Sequence, residues 1–200
     1  MGKLIMVRHG ESEGNAIRRF TTSGEAQITE LGRRQAHEAA QKIKLMFRPT
    51  LVIASTYLRA RETGRIIAEE LQIPIELEHE LREQSLGELA GRPYESVQED
   101  PTFDPKQSWL WRPAGGESHI EVRARVAPVL DRIVAKHPHD ELVIVSHGGV
   151  MRCTWAHVTG KWEDAHVPPN CGIVLIEHRE GEYLSPRVVH GEGPARETGG

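Results

Sequence analysis

The stretch Leu4-Ile5-Met6-Val7-Arg8-His9-Gly10-Glu11-Ser12 decides the reading of this chain. Its apolar residues do not alternate with polar ones, which predicts a strand buried on both faces, as in a parallel or mixed sheet covered by helices. The strand then ends in a polar Arg-His-Gly segment. The same arrangement recurs twice: Leu51-Val52-Ile53-Ala54 runs into Ser55-Thr56-Tyr57-Leu58-Arg59, and Leu142-Val143-Ile144-Val145 runs into Ser146-His147-Gly148-Gly149. Ile173-Val174-Leu175-Ile176 is a further apolar run. Weaker strand signals lie at Pro74 to His79 and at Tyr183 to His190, where Pro186 points to an edge or a bulge.

Helical patterns fill the intervals. Thr29 can cap a helix from Glu30 to about Phe47, with Ala36, Ala39, Ala40, Ile43 and Phe47 on one face. Ala60, Gly64, Ile67, Ala68 and Leu71 repeat that spacing. Ser118 and Glu121 form a capping box ahead of an apolar face of Val122, Val126, Val129, Leu130 and Ile133. Pro128 inside this helix predicts a kink or a division. A last helix is predicted from about Val150 to Thr159, with Gly160 ending it. Strands alternating with helices predict an α/β three-layer sandwich, a mostly parallel central sheet flanked by helices. With no Gly- or Ser-rich linker, residues 1–200 read as one domain. Residues 84–116 are irregular, holding Pro93, Pro101, Pro105, Pro113, Trp109 and Trp111. They read either as a cap over a site or as a surface excursion with its own apolar cluster. The Gly-rich stretch 191–200 is expected to be a mobile tail.

Composition narrows the function classes. Lys and Arg number 25 against 29 Asp and Glu, a net charge of −4. Nucleic-acid affinity rests on basic surface, so no nucleic-acid partner is expected. No segment approaches the roughly 20 apolar residues of a membrane span. Met1 to Val7 is too short for a secretory h-region and is followed by Arg8, with no cleavage site. Cys153 and Cys171 form no CxxC motif. These features together predict a cytoplasmic protein. There are eleven histidines, yet no HExxH and no compact His/Cys cluster, so no metal is expected. The absence of GxxxxGK[ST] argues against a P-loop nucleotide enzyme, and no cofactor is implied.

In open α/β sheets, ligands bind beyond the carboxyl ends of the strands. If the three similar strands are parallel neighbours, Arg8, His9, Arg59 and His147 converge there. Two arginines and two histidines would make a local anion site on an acidic protein, and the planar Arg fork suits phosphate oxygens. Gly10, Gly148 and Gly149 let backbone N–H groups approach an anion closely.

These residues carry a resemblance. Arg8-His9-Gly10-Glu11-Ser12 followed by Asn15 resembles the signature of the histidine phosphatase superfamily, the phosphoglycerate-mutase-like proteins. Thr29 to Ala36 is similar to that family's first-helix motif, and Ser55 to Thr63 to its second arginine motif. Leu81 to Gly91 is similar to the segment bearing its acidic residue. Gly115-Gly116-Glu117-Ser118 and Val145 to Gly149 match later motifs. The resemblance spans roughly residues 3 to 178, in the family's order. It implies the phosphoglycerate-mutase-like fold, with His9 as the nucleophile that becomes phosphohistidine. Arg8, Arg59 and His147 are then expected to hold phosphoryl oxygens, with Gly148 beside them. Glu83 becomes the general acid and base; Asn15 lines the phosphate pocket, and Ser12 does so less directly.

Elementary chemistry agrees with these roles. Phosphoryl transfer spreads charge over three equatorial oxygens, which fixed cationic donors stabilise. A neutral imidazole is a good nucleophile near pH 7, and a carboxylic acid can protonate a leaving alkoxide. By residue type alone, Glu80 and Glu88 rival Glu83, which fits the motif spacing best. The expected activity is a metal-independent phosphomonoesterase acting on a small phosphorylated substrate. The alternatives are a cofactor-dependent phosphoglycerate mutase, which Arg19-Phe20 after Asn15 resembles, and a non-catalytic phosphate-binding regulator. Only 33 residues separate Glu83 from Glu117. The familiar mutases carry a larger insertion there, and a shorter cap favours water entry and hydrolysis. Arg18, Arg19, Arg92 and Arg112 are candidates for reading a second anionic group, and Trp109 and Trp111 for an apolar wall near the leaving group. A homodimer is left open, since no sequence feature reports on oligomeric state.

Overall fold

The computed structural model describes residues 1–21 and 24–191. The three similar apolar runs become adjacent parallel strands. β1 (Gly2–Arg8) pairs with β4 (Glu141–Ser146), which pairs with β2 (Leu51–Ser55); β3 (Ile75–Glu78) adds to the outer side of β2. The register decides where the polar segments emerge. Arg8 lies opposite Ser146, and Ala54 lies opposite Val145, so all three leave the sheet at one level.

The fourth run behaves differently from the expected mostly parallel sheet. β5 (Ile173–Arg179) pairs with β1 antiparallel, and both β6 (Glu182–Tyr183) and β7 (Arg187–His190) pair antiparallel with β5. The sheet is therefore mixed, in the order β3-β2-β4-β1-β5-β6 with β7 also on β5. The strand expected from Tyr183 to His190 is divided, and Pro186, which has no N–H for a ladder, lies in the gap.

Among the described residues, five α-helices connect or cover these strands: α1 (Glu13–Ala16), α2 (Glu30–Met46), α3 (Leu58–Leu71), α4 (His119–Lys136) and α5 (Gly148–Thr159). Alternate strand residues face opposite layers. Leu4, Met6, Leu142, Ile144, Val174 and Ile176 pack against Val122, Val126 and Leu130 of α4 and Val150 and Met151 of α5. Ile5, Val7, Val143, Val145, Ile173 and Leu175 pack with Ala40 and Ile43 of α2 and with Ala60 and Ile67 of α3. The caps form as expected. The Thr29 hydroxyl accepts from Gly32 N, Ser118 and Glu121 complete a capping box, and Gly160 ends α5 at φ +73°. The one-turn α1 was not foreseen; Ser12 caps it.

Pro128 does not divide α4, which runs unbroken from His119 to Lys136. Both Pro128 and Ala124, whose carbonyl loses its helical donor, are exposed. Water can satisfy that carbonyl, so the chain stays helical.

The excursion 84–116 contains three short 3₁₀ helices, Gly87–Leu89, Tyr94–Glu99 and Pro105–Gln107. Trp111 is buried edge-on against Phe103 and donates to Asp100 at 3.1 Å. Trp109 stacks on Trp162 with ring planes 5° apart. The excursion thus has a small cluster of its own and a second anchor on the body. The expected tail lies, beyond Gly191, outside the described residues. Among the described residues no helix is long and apolar enough to cross a membrane.

Candidate active site

A cavity of about 440 Å³ opens where β1, β2 and β4 end, and Arg8, His9, Arg59 and Glu83 all line it. His9 N donates to Ser146 O at 2.9 Å, which fixes the residue just beyond β1 against β4. The residue is only 3% exposed. The ring's Nδ1 lies 2.7 Å from the Gly10 carbonyl. A carbonyl only accepts, so Nδ1 carries the proton and Nε2 the lone pair. Consistent with this, Arg59 Nε donates to His9 Nε2 at 3.3 Å. Burial, followed by the charges of Arg59 and Arg8, pushes the His9 pKa well below its usual value, against the Gly10 hydrogen bond. His9 is a neutral imidazole with a defined tautomer.

Arg59 sits in the first turn of α3 and is also 3% exposed. Its carbonyl accepts from the Thr63 hydroxyl at 2.7 Å, and that hydroxyl accepts from Gly10 N at 3.0 Å. This chain of bonds ties the loop after β1 to α3. The Arg59 guanidinium stands 5.3 Å from the Tyr57 ring centroid, and its buried Nη1 has no hydrogen-bond partner. Burial lowers its pKa, opposed first by Glu83. Arg8 donates from Nη1 to Pro168 O at 3.0 Å.

His147 stands behind this front. It is fully buried, with its ring centroid 5.2 Å from that of His9, and is not part of the cavity lining. Its Nε2 lies 2.9 Å from Ser55 Oγ, while its buried Nδ1 has no partner. Burial, then the charge of Arg59, lowers its pKa well below the usual value. Gly148, the next residue, does line the cavity.

Glu83 enters from the segment after the single turn His79–Leu81. Its Oε1 accepts from Gln84 N at 2.9 Å and its Oε2 from Gly149 N at 3.2 Å. A Cβ on Gly149 would fall 2.5 Å from Glu83 Oε1, so a side chain there would push the carboxyl group from this position. Arg125 of α4 holds the segment from behind. It donates to the carbonyls of Glu80, Arg82 and Glu83 at 2.6, 3.0 and 3.2 Å and pairs with Glu117 at 2.9 Å. The rivals do not share this position: Glu80 pairs with Arg82 at 2.7 Å, and neither Glu80 nor Glu88 lines the cavity.

Ser12 and Asn15 both line the cavity, although their polar atoms are largely engaged with each other. Ser12 Oγ donates to Asn15 Oδ1 at 3.0 Å, Asn15 Nδ2 donates to the Tyr94 hydroxyl at 2.8 Å, and Asn170 Nδ2 donates to the His9 carbonyl at 2.9 Å. Tyr94 and Asn170 escaped sequence reasoning; the only local hint for Asn170 is its Pro-Pro-Asn turn before β5. Of the four arginines considered for a second anion, only Arg19 lines the cavity. Arg18, Arg92 and Arg112 pair instead with Glu95, Glu99 and Glu121. Trp109 and Trp111 do not line it either, because their rings are committed to packing. Among the described residues, no three His, Cys, Asp or Glu side chains gather as a metal site.

The arrangement can present a neutral nucleophile to an anion flanked by guanidinium groups, with a carboxyl group in the same cavity. The sequence profile of the histidine phosphatase superfamily (branch 1) matches residues 4–189. A metal-independent phosphoserine phosphatase from Arabidopsis thaliana is 32% identical over 188 residues, covering 91% of this chain and 79% of the relative. A protein from Yersinia enterocolitica, named as a probable phosphoglycerate mutase, is 28% identical over 198 residues, covering 92% of this chain and 89% of its own. The solved structure of a mycobacterial glucosyl-3-phosphoglycerate phosphatase with VO3 superposes with a TM-score of 0.81 at 27% identity, covering 94% of this chain and 97% of that one.

Proposed function

The chain belongs to the histidine phosphatase superfamily, branch 1, and from that premise we propose that it is a phosphomonoesterase working through a phosphohistidine on His9. The observation that carries this reading is the His9 ring, held by the Gly10 carbonyl with its Nε2 lone pair beside Arg59. In the first step Nε2 attacks phosphorus and the ester P–O bond breaks. Glu83 delivers a proton to the departing oxygen, while Arg8 and Arg59 take the phosphoryl oxygens. The unpaired Nδ1 of His147 is a further donor for that group as it settles against His9. In the second step water displaces His9 and releases phosphate. The charge of Arg8 and Arg59 does the work that a metal ion does in other phosphatases.

The substrate class proposed is a small phosphorylated metabolite whose leaving group carries its own anionic group. Arg19 supports this, since it lines the cavity and pairs with no carboxylate among the described residues, donating instead to Gly91 O at 2.8 Å. Hydrolysis is preferred to a mutase reaction because of the short excursion, whose residues Gln84 to Gly87, Ala90 and Tyr94 form one side of the cavity.

Rapid-quench mixing with p-nitrophenyl phosphate tests the reading. A burst of nitrophenolate and an acid-labile, base-stable phosphoenzyme are expected. A panel of phosphorylated sugars, glycerates and amino acids, run beside a 2,3-bisphosphoglycerate-dependent mutase assay, ranks the activities. Mutase turnover exceeding phosphate release would reverse the order proposed.

A further inference from the structure

We propose that His119 holds the water that cleaves the phosphohistidine, acting together with Glu83. This inference rests on the phosphatase reading above. His119 opens α4 and lines the cavity. The side-chain ends of Glu83 and His119 both lie beside Gly149, in the first turn of α5. A Cβ placed on Gly149 would stand 2.5 Å from Glu83 Oε1 and 3.5 Å from His119 Nε2. With no side chain on Gly149 between them, the two ends lie at most 6.0 Å apart (2.5 plus 3.5 Å), a span that one water can bridge.

The ring is fixed where it stands. It packs on Trp162 at 6.4 Å between centroids, and Trp162 is stacked on Trp109. Its own backbone carbonyl accepts from the Cys153 thiol at 3.3 Å. Burial, followed by the charge of Arg152, lowers its pKa to about 4, opposed by the Ser108 backbone, toward which the ring would donate. At neutral pH the ring is therefore uncharged and carries one lone pair.

A neutral imidazole and a carboxylate this close offer two acceptors for the two protons of one water molecule bridging them. With both protons engaged, the oxygen's two lone pairs are directed elsewhere, and one of them meets phosphorus on His9. As the new O–P bond forms, one water proton passes to the Glu83 carboxylate. The P–N bond breaks, and its electron pair returns to His9 Nε2. The second proton stays on the phosphate, hydrogen-bonded to His119. An alcohol acceptor has a single hydroxyl proton, which Glu83 alone can take. His119 therefore favours water over alcohols as the acceptor.

The test separates the two steps in the full-length protein. In His119→Phe, the nitrophenolate burst should keep its rate within about twofold, while phosphohistidine decay slows by roughly 10- to 100-fold. Added glycerol should then capture a larger share of the phosphoryl group as glycerol phosphate, by about tenfold relative to water. His119→Gln restores an acceptor and should recover part of the water rate, which a purely packing role does not predict. Equal losses in burst and decay, or an unchanged water-to-glycerol ratio, would overturn the inference while leaving the phosphatase reading intact. A wild-type protein that forms no phosphohistidine would overturn both.

Discussion

Arg59 Nε donates to His9 Nε2 at 3.3 Å, while the Gly10 carbonyl holds Nδ1 of the same ring at 2.7 Å. One ring is thus held from both sides, and the two contacts have different fates in the proposed reaction. The Gly10 contact persists, because Nδ1 keeps its proton when Nε2 is phosphorylated. The Arg59 contact must be exchanged for a phosphoryl oxygen, since Nε2 then has no lone pair to offer. Arg59 already has its Nη1 buried without a partner, so its guanidinium is positioned to make that exchange without leaving the cavity.

His9→Ala should abolish the phosphoenzyme and reduce turnover by at least about 10³-fold, because the covalent route is lost. Circular dichroism and a denaturation midpoint establish that the variant is folded. Near-normal turnover in a folded variant would identify a different nucleophile.

Arg59→Met should move the acid limb of the pH–rate profile. The Arg59 charge is the second cause, after burial, of the lowered His9 pKa. Without it the pKa rises, and a larger fraction of His9 is protonated and non-nucleophilic at a given acidic pH. The acid limb of kcat/KM should therefore shift to higher pH, in addition to a general loss of about 10²-fold or more from weaker phosphoryl stabilisation. An unshifted limb with a large loss would confine Arg59 to phosphoryl binding.

Stability should fall on acidification through the buried neutral histidines. His9, His119 and His147 all have folded pKa values below the usual 6.5, chiefly through burial. The unfolded chain therefore binds more protons than the folded one in the acidic range, so stability is complete above pH 6.5 and declines below it. For His119 the decline continues to about pH 4, on the order of 3 kcal/mol by then. Urea titrations between pH 7.5 and 4 should show this slope, and His119→Gln should flatten it. An unchanged slope in that variant would mean that its folded and unfolded pKa values are alike.

The parts legible in the sequence were those whose physics is local. Three apolar runs with polar endings gave β1, β2 and β4, and the endings met because parallel neighbours bring equivalent ends together. The caps at Thr29 and Ser118 were readable for the same reason. What escaped depends on contacts between distant segments. Ile173 to Ile176 is apolar in either direction, so its antiparallel pairing with β1 left no trace in the run itself. Asn170 reaches the His9 carbonyl across 161 positions, and Tyr94 reaches Asn15 across 79. His147 follows its strand as His9 does, yet one ring faces the cavity and the other lies behind it. Pro128 misled because its effect depends on whether the freed carbonyl meets water, which is a property of the folded surface.

Turnover should survive prolonged EDTA treatment, because Arg8 and Arg59 supply the positive charge at the phosphoryl group. Loss of activity that a divalent ion restores would require metal-assisted hydrolysis instead.

Glu83→Gln should separate proton transfer from charge binding. The amide keeps the size, and its oxygen can still accept from Gly149 N or Gln84 N, which hold the native carboxylate at 3.2 and 2.9 Å. It cannot deliver a carboxylic proton to the leaving oxygen. An alkyl phosphate leaves as a poor alkoxide, so its transfer to His9 should slow by roughly 10² to 10⁴. p-Nitrophenyl phosphate leaves as a stabilised phenolate, and its burst rate should fall much less. Glu80→Gln and Glu88→Gln serve as controls, since neither residue lines the cavity and Glu80 is occupied by Arg82. The alkyl-to-aryl ratio of first-step losses is the deciding quantity. A ratio near one in Glu83→Gln would make Glu83 a group that shapes the site through Gly149, whereas a large ratio in either control would move the proton-transfer role to that residue.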